Sequence, residues 1–165
     1  MPIWLEPTEG TCDARDYYHR LAREQGAGVI HNTAPAHGLS AAELAQIDVL
    51  VANEHELAQA AASATETGAD AQARSLLASG VGAVVLTLGA KGSALYFGDE
   101  AVTAVPAAPA EVRDTTGAGD AFVGALAAAL AAGQSLPAAV ASANRYAARV
   151  CEVLGAQTPV DQVSS

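Results

Sequence analysis

The chain has 165 residues, of which 51% are hydrophobic and 16% are charged, so a disordered chain is excluded and one sizeable core is expected. Its 18 acidic residues outnumber 8 basic ones, which leaves no basic surface for a nucleic-acid partner. We find no signal-peptide pattern and no apolar run of membrane-spanning length, and therefore expect no membrane partner. The two cysteines form no spacing motif and predict reduced thiols and a cytoplasmic location.

Short all-apolar runs alternate with helical patterns from the first residues onward. Helix starts are indicated by Thr11 or Asp13, by a capping-box sequence at residues 40–43, and by Asn53. Gly98-Asp99 predicts a hairpin. In chain order, the pattern predicts strands at residues 3–5, 29–30, 49–52, 83–88, 93–97 and 102–105, a mostly helical stretch over 56–80 with a break near 67–68, and helices over 118–132 and about 137–153.

This alternation is typical of an α/β protein. All-apolar strands linked by helices predict a doubly wound, mostly parallel sheet with helices on both faces, and the hairpin adds an antiparallel edge. Ligands of such sheets bind beyond the carboxyl ends of the strands. The loops after residues 5, 30, 52 and 88, and the one entering the helix at 118, are therefore where a site is expected.

The segment from Asp114 to Phe122 carries the strongest signal for chemistry. It runs from a turn of small residues straight into an apolar helix. The backbone amides from Gly117 to Asp120 would point outward at the helix N-terminus, where an anion is favoured. A carboxylate beside such an anion hole is the pairing that phosphoryl transfer needs. By itself, the same pattern is also that of a turn followed by an acid paired with the helix dipole.

Other nucleotide-binding and nucleophile motifs are missing from the sequence. There is no Gly-x4-Gly-Lys-Ser/Thr loop, no Gly-x-Gly-x-x-Gly after a strand, and no Gly-x-Ser-x-Gly elbow. The four histidines, His19, His31, His37 and His55, form no metal-ligand constellation. We expect all four on the surface or in loops.

The segment at 114–122, continued by Val123-Gly124-Ala125-Leu126, resembles the C-terminal signature of the ribokinase (PfkB) carbohydrate kinases. The resemblance extends from about residue 5 to 159, and its first and last subsidiary matches favour the ribokinase branch. Those subsidiary matches are, in order, Asn32-Thr33-Ala34-Pro35-Ala36, Asn53-Glu54-His55-Glu56, Thr87-Leu88-Gly89-Ala90-Lys91-Gly92 and Gly155-Ala156-Gln157.

The resemblance implies a role for each matching position. Asp120 would be the base that deprotonates a sugar hydroxyl, within an anion hole of Gly117, Ala118 and Gly119, and Glu6 would contact the sugar. ATP would be bound by Asn53, Thr87, Gly89, Gly92, Gly119 and Asn144, and Glu56 would order Mg²⁺ and its waters. Without the family, Asn53 and Glu56 are equally an ordinary N-cap with its third-position glutamate, and Glu6 is an ordinary loop carboxylate.

A monovalent-cation site for K⁺ is also implied beside the anion hole. Its ligands would come from Asp114, Thr116, Val150, Val153, Gly155 and Pro159. Backbone carbonyls can supply most of them, so valine is acceptable there. Pro159 stands where the family often has serine, which leaves that ligand open.

Members of this family are about twice as long, so the resemblance makes residues 1–165 the C-terminal part of a kinase domain. We expect the family's first strands, most sugar-binding residues and its small β lid to precede Met1. The expected activity is ATP-dependent phosphorylation of D-ribose to D-ribose 5-phosphate. Two alternatives stay open: a non-catalytic nucleotide-binding remnant of a split gene, and another PfkB kinase such as a fructokinase or adenosine kinase. A homodimer or a complementing N-terminal half is the expected protein partner.

Overall fold

The structure, a computed structural model, describes the backbone of residues 3–5 and, with their side chains, residues 19–34, 38–61 and 68–155. Several predicted positions lie outside these ranges. They are Glu6, the candidate caps Thr11 and Asp13, His37 and Pro159.

Six strands form one sheet whose spatial order follows the order in the chain. The first four strands are parallel to one another. Residues 88–92 join the fourth strand to the fifth, a connection too short for a parallel crossover, so this edge of the sheet is antiparallel. The strands are β1 (Ile3–Leu5), β2 (Val29–Asn32), β3 (Val49–Asn53), β4 (Ala83–Thr87), β5 (Ser93–Phe97) and β6 (Thr103–Val105). The predicted α/β class with a mostly parallel sheet is confirmed.

The helices also follow the predicted order. They are α1 (residues 19–24), α2 (Ala41–Leu44), α3 (Glu54–Ala60), α4 (Ala69–Ala78), α5 (Ala118–Ala131) and α6 (Leu136–Val150). The last helix was predicted to reach about Val153 but ends at Val150. The Cys151 carbonyl accepts hydrogen bonds from the backbone amides of Arg113 at 2.8 Å and Asp114 at 3.1 Å, so a contact with a distant segment replaces a further helical turn.

The chain divides into two compact units. One consists of Met1–Leu88 with Ala94–Thr103, and the other of Gly89–Ser93 with Ala104–Ser165. The first holds β1 to β4, α1 to α4 and most of β5, and the second holds α5 and α6. We call them the sheet unit and the helical unit.

The core of the sheet unit lies along the central strands. Leu50 of β3 and Val84 and Leu86 of β4 pack with Leu57 of α3 and Leu76 of α4. The alternate strand residues, Val51 and Val85, are also buried, so both faces of these strands are covered. Burial on both faces explains why the strands are continuous apolar runs rather than alternating patterns.

The core of the helical unit is formed by α5 and α6, which pack against each other. Phe122, Val123 and Leu126 are buried on α5, and Ala139 and Val140 on α6. The apolar side of α5 therefore faces the core. The glycine-rich motif lies in the first turn of α5, before these buried residues.

The expectation that all four histidines are exposed was wrong for two of them. His19 of α1 and His31 of β2 are fully buried, with their ring centroids 5.6 Å apart in an edge-to-face arrangement. An imidazole is largely a flat ring surface and packs in a core as other aromatic rings do. His55, on α3, is exposed as expected. Within the part of the chain that the structure describes, no helix is long and apolar enough to cross a membrane.

Candidate functional site

In the sheet unit, the carboxyl ends of β3 and β4 bring two predicted nucleotide contacts side by side. Asn53 ends β3 and is the direct register partner of Thr87, which ends β4. The Thr87 hydroxyl donates to the Ala52 carbonyl at 3.3 Å, which fixes its side chain against the neighbouring strand. Both residues of the predicted pair therefore lie at the carboxyl ends of the strands, where parallel sheets bind their ligands.

Asn53 and Glu56 form a reciprocal capping box at the start of α3. The Asn53 side-chain oxygen accepts from the Glu56 amide at 2.9 Å, and Glu56 Oε2 accepts from the Asn53 amide at 2.9 Å. Glu56 Oε1 also accepts from Asn53 Nδ2 at 2.8 Å. The motif thus has a structural role, as the cap reading predicted, and it holds the Glu56 carboxylate in one orientation at the sheet edge.

Thr33 is a buried residue of this cluster that lies within a matched segment but to which the sequence analysis assigned no role. Its hydroxyl lies 3.2 Å from Glu56 Oε2 and 3.1 Å from the Val51 carbonyl, and it donates to one of them at a time because a hydroxyl carries one hydrogen. Its amide donates to the Val51 carbonyl as well. The signal was available in the sequence, since Thr33 directly follows the β2 strand.

The chemistry of this cluster fits Mg²⁺. The Glu56 carboxylate accepts bonds from three donors out of about four lone-pair positions, so a position remains for a metal-bound water. Among residues 19–34, 38–61 and 68–155, no group of three or more His, Cys, Asp or Glu side chains could hold a metal ion by itself. A divalent cation here would therefore rely on water and phosphate oxygens, which is how Mg²⁺ is commonly bound.

In the helical unit, the loop from Gly89 to Gly92 is a tight 3₁₀ turn. The Gly92 amide donates to the Gly89 carbonyl at 2.9 Å. Gly92 has a φ of +91°, and a Cβ there would lie 2.2 Å from the Val105 carbonyl oxygen and 2.5 Å from the Ala107 amide. Glycine at this position is therefore required by both backbone conformation and space.

Asn144 of α6 is buried, with 8% of its surface exposed. Its Nδ2 donates to the carbonyls of Val105 and Pro106 at 3.1 and 3.2 Å, and its Oδ1 accepts from the Ser93 hydroxyl at 2.9 Å. Its amide hydrogens are thus used within the protein. Ser93 is a second polar residue that the sequence analysis did not single out.

The first turn of α5 presents the glycine-rich motif. Gly117 is the N-cap with φ +79°, a left-handed conformation suited to glycine. It has no side chain to cap the amides of Gly119 and Asp120. Asp120 lies in this first turn and is exposed. The Ala118 amide donates to the Thr115 carbonyl at 3.2 Å, and the amides of Gly119 and Asp120 have no side-chain cap. The turn thus combines the positive end of the helix dipole with a carboxylate.

Asp114 anchors the turn that leads into α5. Its Oδ1 accepts from the Thr116 amide at 2.9 Å and from the Thr116 hydroxyl at 2.7 Å, and its Oδ2 accepts from the Gly155 amide at 2.9 Å. Bonds from the Thr116 side chain, from its amide and from the Gly155 amide lower the pKa of Asp114 from 3.8 to about 2. The carboxylate is therefore ionised at neutral pH and carries a fixed negative charge.

Two further contacts join the turn before α5 to the turn after α6. The Cys151 carbonyl binds the amides of Arg113 and Asp114, and the Glu111 amide donates to Glu152 Oε1 at 3.1 Å. Among the predicted cation ligands, hydrogen bonds join Asp114 to Thr116 and to Gly155, and the Val153 amide to the Val150 carbonyl. An ionised carboxylate suits a monovalent cation such as K⁺, which also takes carbonyl oxygens as ligands.

The family model described as pfkB family carbohydrate kinase matches residues 17–163. The chain belongs to the pfkB family of carbohydrate kinases. The match contains every predicted site residue except Glu6. This pfkB-family chain is 36% identical over 146 residues to a ribokinase of Schizosaccharomyces pombe, covering 86% of this chain and 46% of the relative. It is also 44% identical over 110 residues to a 1-phosphofructokinase of Rhodobacter capsulatus, covering 64% and 34%.

Solved structures of the family share the fold. The ribokinase of Thermotoga maritima matches with a TM-score of 0.76 and 30% identity over 90% of this chain and 49% of that one. The ribokinase of Arabidopsis thaliana, complexed with ribose and ATP, matches with a TM-score of 0.77 and 31% identity over 87% and 47%. This pfkB-family chain therefore spans about half the length of the ribokinases it matches.

Proposed function

We propose that the protein transfers the γ-phosphoryl group of ATP to a sugar hydroxyl, and that the sugar is D-ribose, giving D-ribose 5-phosphate and ADP. The observation that carries this proposal is the first turn of α5. There Asp120 follows an uncapped left-handed Gly117, and Asp114 fixes the preceding turn. Family membership over residues 17–163 supports the same reaction class.

Asp120 is the proposed catalytic base. Its carboxylate takes the proton of the sugar hydroxyl as the hydroxyl oxygen forms its bond to the γ-phosphorus. The bond between that phosphorus and the bridging oxygen of ADP breaks, and ADP leaves with the electron pair. The amides of Gly117, Ala118 and Gly119 stabilise the charge that spreads over the phosphoryl oxygens.

Nucleotide binding is proposed for the remaining matched positions. In the sheet unit, Asn53 and Thr87 contact ATP, and Glu56 orders the waters of Mg²⁺, which would neutralise phosphate charge when bound. In the helical unit, Gly89 and Gly92 let the backbone approach the nucleotide closely. Asn144 borders the adenine, and it does so from a buried position behind the loop.

A monovalent cation, K⁺, is proposed at Asp114, Thr116, Val150, Val153 and Gly155, with Pro159 as a further ligand. When bound, it would add positive charge beside the anion hole. The hydrogen bonds of Asp114 support this proposal, because they fix its carboxylate between Thr116 and Gly155, two of the proposed ligands.

The sugar is the least constrained part of the proposal. Ribokinases are among the relatives at 30% identity or more, and one of their structures holds ribose and ATP. Glu6 is the proposed sugar contact within this chain. A 1-phosphofructokinase and a Bifunctional protein HldE are relatives too, so another sugar substrate of the same family is the alternative within this class.

The span of this chain favours one other candidate, a nucleotide-binding module without turnover. Only 46% of the fission yeast ribokinase is covered. Such a module would bind ATP and pair with a complementing N-terminal half or with a second copy of itself. A cytoplasmic location stays a prediction.

The test is ADP release from the chain in the presence of D-ribose, Mg²⁺ and K⁺, compared with the Asp120→Asn variant. We expect a loss of roughly 10²- to 10⁴-fold in the variant, the range for removal of a general base. Fructose 1-phosphate and adenosine in place of ribose test the alternative substrates. ATP binding without any turnover above the variant would instead support the module.

A further inference from the structure

A buried hydrogen-bonded bridge lies behind the Gly89–Gly92 loop. Ser93, directly after the loop, is 2% exposed, and its hydroxyl donates to Asn144 Oδ1 at 2.9 Å. At the other side of the same amide, Asn144 Nδ2 donates to the carbonyls of Val105 and Pro106. One side chain of α6 therefore holds two separate backbone segments of the helical unit.

These two segments meet at Gly92. A Cβ on Gly92 would lie 2.2 Å from the Val105 carbonyl oxygen, the same atom that accepts a bond from Asn144. The loop is thus constrained on both sides of its last residue. On one side, Ser93 fixes the chain after the loop through its hydrogen bond to Asn144. On the other side, the Val105 carbonyl packs against Gly92.

The geometry points to Ser93 and Asn144 as positioning residues that fix the closing end of the nucleotide loop. The loop amides would then be held in place before ATP arrives, which lowers the entropic cost of binding. This inference rests on the proposed function in so far as the loop is taken to bind ATP. The Ser93 hydroxyl is buried, so its removal can affect ATP affinity only through the groups that it holds, Asn144 and the loop. Hydrogen exchange at the Gly92 amide reports on the loop separately.

The bridge is tested with Ser93→Thr and Ser93→Val, two variants of nearly the same shape of which only the first keeps the hydroxyl. Ser142→Ala is the matched control, because it removes a hydroxyl of α6 that bonds to Gln134 rather than to the loop. The measurements are the Kd for ATP with Mg²⁺ by calorimetry, and hydrogen exchange at the Gly92 amide, which bonds to the Gly89 carbonyl.

We expect Ser93→Thr and Ser142→Ala to match the wild type in both measurements. Ser93→Val should weaken ATP binding between about two- and tenfold, the span that one net hydrogen bond supports, and should speed exchange at Gly92 by a similar factor. Equal Kd values, or equal exchange rates, for Ser93→Thr and Ser93→Val overturn the inference. A wild-type chain that binds no ATP overturns the proposed function, and the exchange comparison then decides the positioning role alone.

Discussion

The carboxylate of Asp114 accepts a hydrogen bond from the backbone amide of Gly155, 41 positions later in the chain and 2.9 Å away. The other oxygen of the same carboxylate holds Thr116, the residue before Gly117. One side chain therefore joins the turn after α6 to the turn that opens α5. We therefore expect the order of the turn that begins at Gly117 to depend on this aspartate being ionised.

The first prediction concerns the contribution of Asp114 to stability and its loss at low pH. The folded pKa of Asp114 is lowered to about 2 from 3.8, so its stabilising effect is present above about pH 4 and is lost as the pH falls through the folded pKa. Asp114→Asn removes the ionised acceptor. We expect the variant to unfold at a lower urea concentration than the wild type at neutral pH, and the two midpoints to converge toward pH 2.

Asp99→Asn is the control, since Asp99 is an exposed aspartate in the β5–β6 connection. It should follow the wild type at every pH. A difference between Asp114→Asn and wild type that stays constant from pH 7 to pH 2 would contradict the assigned role of the ionised carboxylate.

The second prediction concerns Gly92. Gly92→Ala combines a positive φ with a Cβ that has no room against the Val105 carbonyl. Gly98→Ala is matched to it, because Gly98 also has a positive φ, of +54°, but has nothing within 4 Å of the added Cβ. We expect about 1 kcal/mol of destabilisation for Gly98→Ala from backbone strain, and a larger loss with impaired ATP binding for Gly92→Ala. Equal urea midpoints for the two variants would count against the close approach at Gly92.

The third prediction separates capping from binding at Asn53. The chain contains a second capping box, at Ser40 and Glu43 of α2, which contains no predicted nucleotide contact. Asn53→Ala and Ser40→Ala should each lower the free energy of unfolding by about 1 kcal/mol. Only Asn53→Ala should also weaken ATP binding, measured by calorimetry at a temperature where both variants are folded. An equal loss of ATP affinity in both variants would mean that Asn53 only caps α3 and does not contact ATP.

The fourth prediction concerns Thr33. Thr33→Val removes the hydroxyl beside Glu56 Oε2 and keeps the shape of the side chain. We expect the Mg²⁺ concentration that half-saturates ATP binding to rise about two- to tenfold, because Glu56 loses a donor that orients it. Ser79→Ala, which removes a hydroxyl bonded within α4, should leave that concentration unchanged. An unaltered Mg²⁺ dependence in Thr33→Val would mean that the hydroxyl donates to the Val51 carbonyl and does not orient Glu56.

The sequence pattern predicted the strands of the sheet and the starts of α2, α3 and α5, because these depend on local signals. Continuous apolar runs mark β3 and β4, and capping residues mark Ser40 and Asn53. The same locality explains the wrong end of α6. The residues near Val150 carry no sequence signal for the hydrogen bonds that the Cys151 carbonyl accepts from the amides of Arg113 and Asp114.

Motif matching found residues whose type the chemistry demands, but it did not find those that hold them. Asn53 and Glu56 have the spacing of the family's Asn-x-x-Glu motif, and Asp120 has its place in the glycine-rich segment. Thr33 and Ser93 act through hydrogen bonds to residues 23 and 51 positions away, and such partners are set by the tertiary fold. The burial of His31 is likewise a property of the sheet and not of its neighbours in sequence.

The buried surfaces of α5 and α6 include Ala129, Ala139 and Ala143. An interface lined with methyl groups limits residue size more than it demands a particular shape. Exchange for glycine removes one methyl group and exchange for serine adds one oxygen atom, whereas a larger side chain must move a helix, which typically costs about 1–3 kcal/mol. We therefore expect these three positions to accept only the smallest residues. Alanine counts among the 51% of hydrophobic residues, and at these positions it reflects a limit on size rather than a gain in apolar surface.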